Sequence, residues 1–143
     1  MADSTSFRPD DFPGLVHQHL GAILSGFGFE EDDRVPHSIT YESATMLLIF
    51  SFDRGEVHAA LEPLPTEQND DPDYVALPAL FVFLELNAPT DRLFLNVDSP
   101  ARLEADLIKC AGFLPGAEAY LRGRIVDYGP IWDRIDAGTL FIG

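Results

Sequence analysis

Residues 39–61 constrain the fold more than any other stretch of the chain. They read Ile-Thr-Tyr-Glu-Ser, then Ala-Thr-Met-Leu-Leu-Ile-Phe-Ser-Phe-Asp, then Arg-Gly, then Glu-Val-His-Ala-Ala-Leu. Side chains alternate along a strand, so Leu48, Phe50 and Phe52 share one face, and Leu47, Ile49 and Ser51 the other. Apolar residues on both faces mark a central strand covered at least in part on both sides. The flanking segments alternate more cleanly. Val57, Ala59 and Leu61 oppose Glu56, His58, Ala60 and Glu62, while Val35, His37, Ile39 and Tyr41 oppose Ser38, Thr40 and Glu42. The pattern predicts an antiparallel meander of three strands at 35–42, 45–53 and 56–62. Asp53-Arg54-Gly55 reads as a three-residue hairpin loop with Gly55 in the left-handed conformation that glycine adopts at little cost. Glu42-Ser43 is a less specific turn signal.

Helices are expected on either side of this sheet. Asp10 and Asp11 before Phe12-Pro13 form a start signal, a capping acid followed by an early proline. Leu15, Val16, His19, Leu20, Ile23 and Leu24 then make one apolar stripe. Gly26 is a natural stop, and Phe27 and Phe29 anchor the exit to the core. Tyr74 to Leu86 is read as a helix, with Tyr74, Leu77, Leu80, Phe81 and Leu84 on one face. The alternative is a strand at 80–86 pairing with 93–97, since Phe-Val-Phe favours strand and Leu, Ala and Glu favour helix. Ser99-Pro100 opens a helix whose apolar face carries Leu103, Leu107, Cys110, Ala111 and Leu114. Gly112 and Pro115-Gly116 end or kink it, Ala117–Leu121 resume it, and a last short helix runs from Pro130 to Gly138. The expected class is α+β: an N-terminal helix, the three-stranded meander, then C-terminal helices packed on the sheet.

A chain of 143 residues suits one domain, 1–143, with 1–9 a flexible arm. No apolar stretch approaches the ~20 residues of a membrane helix. The N-terminus lacks the basic start and apolar core of a signal peptide. Cys110 is the only cysteine, which excludes an intrachain disulfide and a cysteine metal cluster and fits a reducing cytoplasm.

The charge balance is the strongest compositional signal. Twenty-four acids face nine bases, for a net charge of −15. Residues 1–72 carry −11 of it and residues 73–143 carry −4. Nucleic acid and anionic membrane both need a basic face and are therefore poor partners. A cationic protein would be steered in, although acidity also serves plain solubility. The densest acids are Glu30, Glu31, Asp32 and Asp33, read as a solvated loop, and Asp70, Asp71 and Asp73 in a Pro- and Asp-rich connection at 62–73 expected to be the most mobile internal segment. These seven are the candidate partner-binding residues.

Catalytic signatures are missing. The sequence holds no nucleophile elbow, P-loop, dinucleotide fingerprint, zincin or kinase motif. His17 and His19 lie on opposite sides of a helix, and His19 reads as a hydrogen-bonded core or boundary residue. His37 and His58 could face one another on the sheet but have no third ligand. Asn69 to Asp73 lacks the glycine and glutamate of a calcium loop. Cys110 reads as a buried, inert thiol. Arg122-Gly-Arg124 reads as a helix end with favourable dipole contacts. No cofactor, metal or catalytic residue is expected.

Tyr41-Glu42-Ser43, Phe52-Asp53-Arg54-Gly55-Glu56-Val57, and a Leu- and Ala-rich helix ending in Leu121-Arg122-Gly123 with Trp132 beyond, together resemble small acidic bacterial proteins of the immunity type from polymorphic-toxin systems. The resemblance spans about residues 12–137 and departs where Arg124 stands in place of an acid. It implies no enzyme and a protein-binding role, blocking a toxin. Two other classes stay open: an acidic secretion-chaperone-like dimer, and an enzyme whose site assembles only in three dimensions.

Overall fold

A computed structural model describes residues 12–68, 70, 72–84, 94, 97 and 99–136. The expected flexible arm and the Asp10-Asp11 cap lie outside them. The class is α+β, built on one antiparallel sheet of five strands in the order β1-β2-β3-β4-β5. These are β1 (Glu30–Val35), β2 (Ser38–Glu42), β3 (Met46–Asp53), β4 (Glu56–Pro63) and β5 (Val75–Ala76). The helices are α1 (Phe12–Gly26), α2 (Leu77–Phe83), α3 (Pro100–Phe113), α4 (Glu118–Leu121) and α5 (Gly129–Asp136), with a 3-10 turn at Leu114–Ala117 before α4.

The central meander is present with two more strands added, one at each edge. β3 lies in the middle of the sheet, as its two-sided apolar pattern requires. It buries Met46, Leu48 and Phe50 on one face and half-buries Leu47, Ile49 and Ser51 on the other.

Three expectations need correction. The strand foreseen at 35–42 is two strands, because the chain reverses at Pro36-His37 and Val35 pairs with Ser38. Proline has no N–H to give a continuous ladder. The acidic segment Glu30–Asp33 is therefore not a loop but most of β1, an edge strand exposed at every position. Finally, the β3–β4 hairpin closes through Arg54 and Gly55 alone. Both have positive φ, 51° and 81°, the requirement of a two-residue primed turn whose twist matches its strands.

The ambiguous segment after 73 resolves into both elements. Val75–Ala76 pairs with Leu61 and Ala60 as β5. Ala76 is still extended, at φ −76° and ψ 135°, and α2 then starts with proline in its first turn. Proline there is pre-set for helix. The alternative strand at 80–86 is not formed over 80–83, which are helical; 85–93 lie outside the described residues.

The helices gather on the sheet face that carries Ile39, Tyr41, Met46, Leu48, Phe50, Val57, Ala59 and Leu61, all buried. α1 lays Phe12, Val16, Leu20 and Leu24 into this layer, with the Phe12 ring 5.9 Å from Phe52. α1 ends in a Schellman turn: Phe29 N–H donates to Leu24 O and Gly28 N–H to Ser25 O. Gly28, not Gly26, takes the left-handed φ, 93°. Leu24 and Phe29 are both buried, the apolar contact that accompanies such a turn.

α3 is capped by Ser99, whose Oγ accepts from Arg102 N–H, and it packs along α1. Phe81 of α2 meets Phe113 of α3 at 5.3 Å. α3 also carries the one buried charged residue among those described, Asp106. Its Oδ2 accepts from Phe94 N–H at 3.0 Å and lies 3.4 Å from Arg102 Nε. That bond fixes Phe94 at φ 70°, where its carbonyl accepts from Val57 N–H at the start of β4. Arg122 ties the far end together: its guanidinium bonds Glu118 and Gly26 O and lies 5.2 Å from the Phe27 ring centroid.

Candidate functional site

Among the described residues, the helices leave the other face of the sheet open, and the pairing register lays out its residues. Directly opposite residues share a face. One cross-strand row is Glu30, Glu42, Leu47 and Glu62. The next is Asp33, Thr40, Ile49, Ala60 and Ala76, and the next Val35, Ser38, Ser51 and His58. Asp53 and Glu56 close the face at the hairpin tip. The centre is apolar and half-buried at Leu47, Ile49, Ala60 and Ala76, whereas Glu30, Asp33, Glu42, Asp53 and Glu56 at the margins are exposed. No arginine or lysine stands in any row.

The bulge at Asp32 produces this one-sided charge. Glu31 pairs with Tyr41 and Arg34 with Ile39, with one residue too many between them on β1. In an unbroken strand Glu31 and Arg34 would point to opposite faces, but one extra residue restores them to the same side. Both turn toward α1. There Arg34 grips Glu31 bidentately at 2.8 and 2.9 Å, and His17 Nδ1 of α1 lies 3.7 Å from the same carboxylate. His17 also shares a 2.9 Å hydrogen bond with the hydroxyl of Tyr41, with the rings stacked 8° from parallel. Burial pushes the Tyr41 hydroxyl up to about 12, helped by the Glu31 charge and opposed by Arg34. The base of the β1–β2 hairpin is thus spent on the helix side, and Glu30 and Asp33 are left on the open side.

The remaining candidates are elsewhere. Asp70 and Asp73 are exposed, and Asp73 lies next to β5 at the opposite edge from β1. The two edges are separated by four strand spacings of about 4.8 Å, about 19 Å in all. The β1 acids and Asp73 therefore do not form one patch; Asp71 lies outside the described residues. Beside β5, Tyr128 is buried with its hydroxyl unpaired among the described residues, and burial together with Asp73, Glu62 and Tyr120 pushes that hydroxyl up. Trp132 Nε1 donates to Tyr74 O at 3.0 Å in the same corner.

The histidines separate. His19 bonds Glu104 of α3 at 3.0 Å, the boundary role expected of it. His37 sits in the β1–β2 turn and His58 on β4, with β3 between those strands, so they do not face one another as the sequence allowed. Among the described residues no three His, Cys, Asp or Glu side chains converge to hold a metal ion. Cys110 is fully buried, and burial and then Asp106 push its thiol up, away from nucleophilic use.

Sequence reasoning missed Glu42, Asp53, Glu56 and Glu62 as parts of a surface. The alternation of Glu56, His58 and Glu62 against Val57, Ala59 and Leu61 was the available signal; what it lacked was the register joining β1 to β4. No helix of the described residues is long and apolar enough to cross a membrane. The chain matches no protein-family model, no curated protein and no solved structure in any of three comparisons.

Proposed function

We propose that this protein is a non-enzymatic binding domain for a basic protein, acting as an immunity-type inhibitor that covers a toxin's cationic groove in the cytoplasm. One observation carries the reading: the bulge in β1 turns Arg34 away with Glu31 and leaves Glu30 and Asp33 on a face that also carries Glu42 and Glu62. Such a field raises association rates with cationic partners and makes them dependent on salt.

The test is kinetic. Glu30 and Asp33, the two β1 acids on the open face, are changed together to Gln and Asn, and binding to the basic partner isolated from the native host is followed by stopped flow at two salt concentrations. Association is expected to slow several-fold and its salt dependence to flatten, with the fold intact by its amide spectrum. An unchanged association rate at low salt reduces the acids to a solubility feature.

A further inference from the structure

We propose that the open face of the sheet, rather than the β1 edge or the Asp70–Asp73 connection, is the docking surface, and that it takes a protein surface with an apolar centre and a basic rim. This rests on the basic-partner reading above and names the surface that serves it. Two features of the face point to its occupant. Its centre offers Leu47 and Ile49 on β3, both half-buried; the alanines of β4 and β5 continue the Ile49 row, and Leu47 lies between Glu42 and Glu62. Its margins hold two carboxylate pairs placed directly opposite, Glu30 with Glu42 and Asp53 with Glu56. Like charges in that position repel across the ladder. A cation lying between each pair removes the repulsion, so this surface gains most from a basic rim around an apolar core, the ordinary anatomy of an interface.

The same charges argue against other occupants. A second copy would bring carboxylates against carboxylates. The C-terminal segment Ala-Gly-Thr-Leu-Phe-Ile-Gly at 137–143 could fill an apolar centre, but it has no charged side chain to answer the rim.

The test uses the full chain and two synthetic probes, a peptide of alternating arginine and leucine and one of alternating arginine and serine, followed by amide chemical shifts. The arginine–leucine peptide is expected to move the amides of Thr40, Leu47, Ile49 and Ala60 saturably, and to bind at least about tenfold more tightly than the arginine–serine peptide, as a desolvated apolar anchor implies. Ile49→Glu and the milder Leu47→Ser should each weaken that binding several-fold with the fold intact by its amide spectrum.

Equal affinity for the two peptides, or shifts confined to the β1 edge or to residues 72–76, overturns the face as the docking surface and leaves the basic-partner reading to its kinetic test. So does a deletion of residues 138–143 that moves the same four amides without any peptide, because the chain's own tail would then be the occupant. A dimer in sedimentation that Ile49→Glu dissolves overturns it in favour of a second copy.

Discussion

Glu30 on β1 and Glu42 on β2 stand directly opposite one another, on the face of the sheet that the helices leave open. Two strands away Glu62 continues the row beyond Leu47. Natural sheets more often place opposite charges in such positions, since like charges there cost stability. The arrangement depends on the bulge at Asp32, which has put the hairpin's only base, Arg34, on the other side with Glu31. Local stability and surface charge are in conflict here, and that conflict gives the functional reading its content.

The buried layer gives the first prediction. Phe50 is fully buried among the inner-face residues of β3, and Phe52, toward the end of the strand, is partly buried. Phe50→Ala should destabilise by about 3–5 kcal/mol through lost burial and the cavity left behind. Phe52→Ala should cost less. Urea unfolding of the two variants checks the order.

Asp106 is the second case. Its carboxylate accepts the backbone N–H of Phe94 inside the core. Asp106→Ala leaves that N–H without an acceptor and should cost about 1–3 kcal/mol. It should also free Phe94 from its positive φ of 70°. Asp106→Asn keeps an acceptor oxygen and should be milder. Hydrogen exchange at the Phe94 amide, faster in the alanine variant than in the asparagine one, is the specific readout.

Gly123 marks a close approach between the loop after α4 and the β2–β3 turn. It has φ 76°, and a Cβ there would lie 2.9 Å from Thr45 Oγ1 and 3.1 Å from the Met46 sulfur. Met46 is buried. Gly123→Ala should therefore cost at least about 1–2 kcal/mol, the penalty of a left-handed alanine, and thermal unfolding measures it.

Tyr41 sets a dependence on alkaline pH. Its hydroxyl is raised from 10.0 to about 12 in the folded protein. Below pH 10 the phenol is neutral in both states and the fold keeps its full stability. As pH rises between 10 and 12 the unfolded chain ionises first, so stability falls through that window. Tyr41→Phe should lose some stability at neutral pH with its His17 hydrogen bond, and then show a shallower decline across the window. A residual decline is expected, because Tyr120 and Tyr128 are raised as well. Denaturant unfolding at several pH values gives both slopes.

The parts of this fold that could be read from the sequence are those with an alternating or helical apolar pattern. β3 and β4 were legible because Met46–Asp53 and Glu56–Pro63 carry it along their length. β1 was not, since none of its six residues is buried and a strand without a buried face leaves no periodic trace. The turn at Pro36-His37 was hidden for a related reason. Val35, His37, Ile39 and Tyr41 alternate as one strand would, yet pairing puts Val35 on the face of Ser38, opposite Ile39 and Tyr41. The acids themselves were obvious in the sequence. Their grouping was not, because it depends on which strands are neighbours and on one bulged residue.

The measurement that tests the account most directly is the stability of Glu42→Gln beside the wild type in about 0.01 M and about 1 M salt, where charges are screened over roughly 30 Å and 3 Å, together with the affinity of the arginine–leucine peptide. If the open face is held acidic for a partner at the expense of the fold, the variant should be more stable than the wild type at low salt by about 0.2–1 kcal/mol. That gain should vanish at high salt, and the peptide should bind more weakly. A variant that is no more stable at low salt, or that binds the peptide as well as the wild type does, contradicts the account.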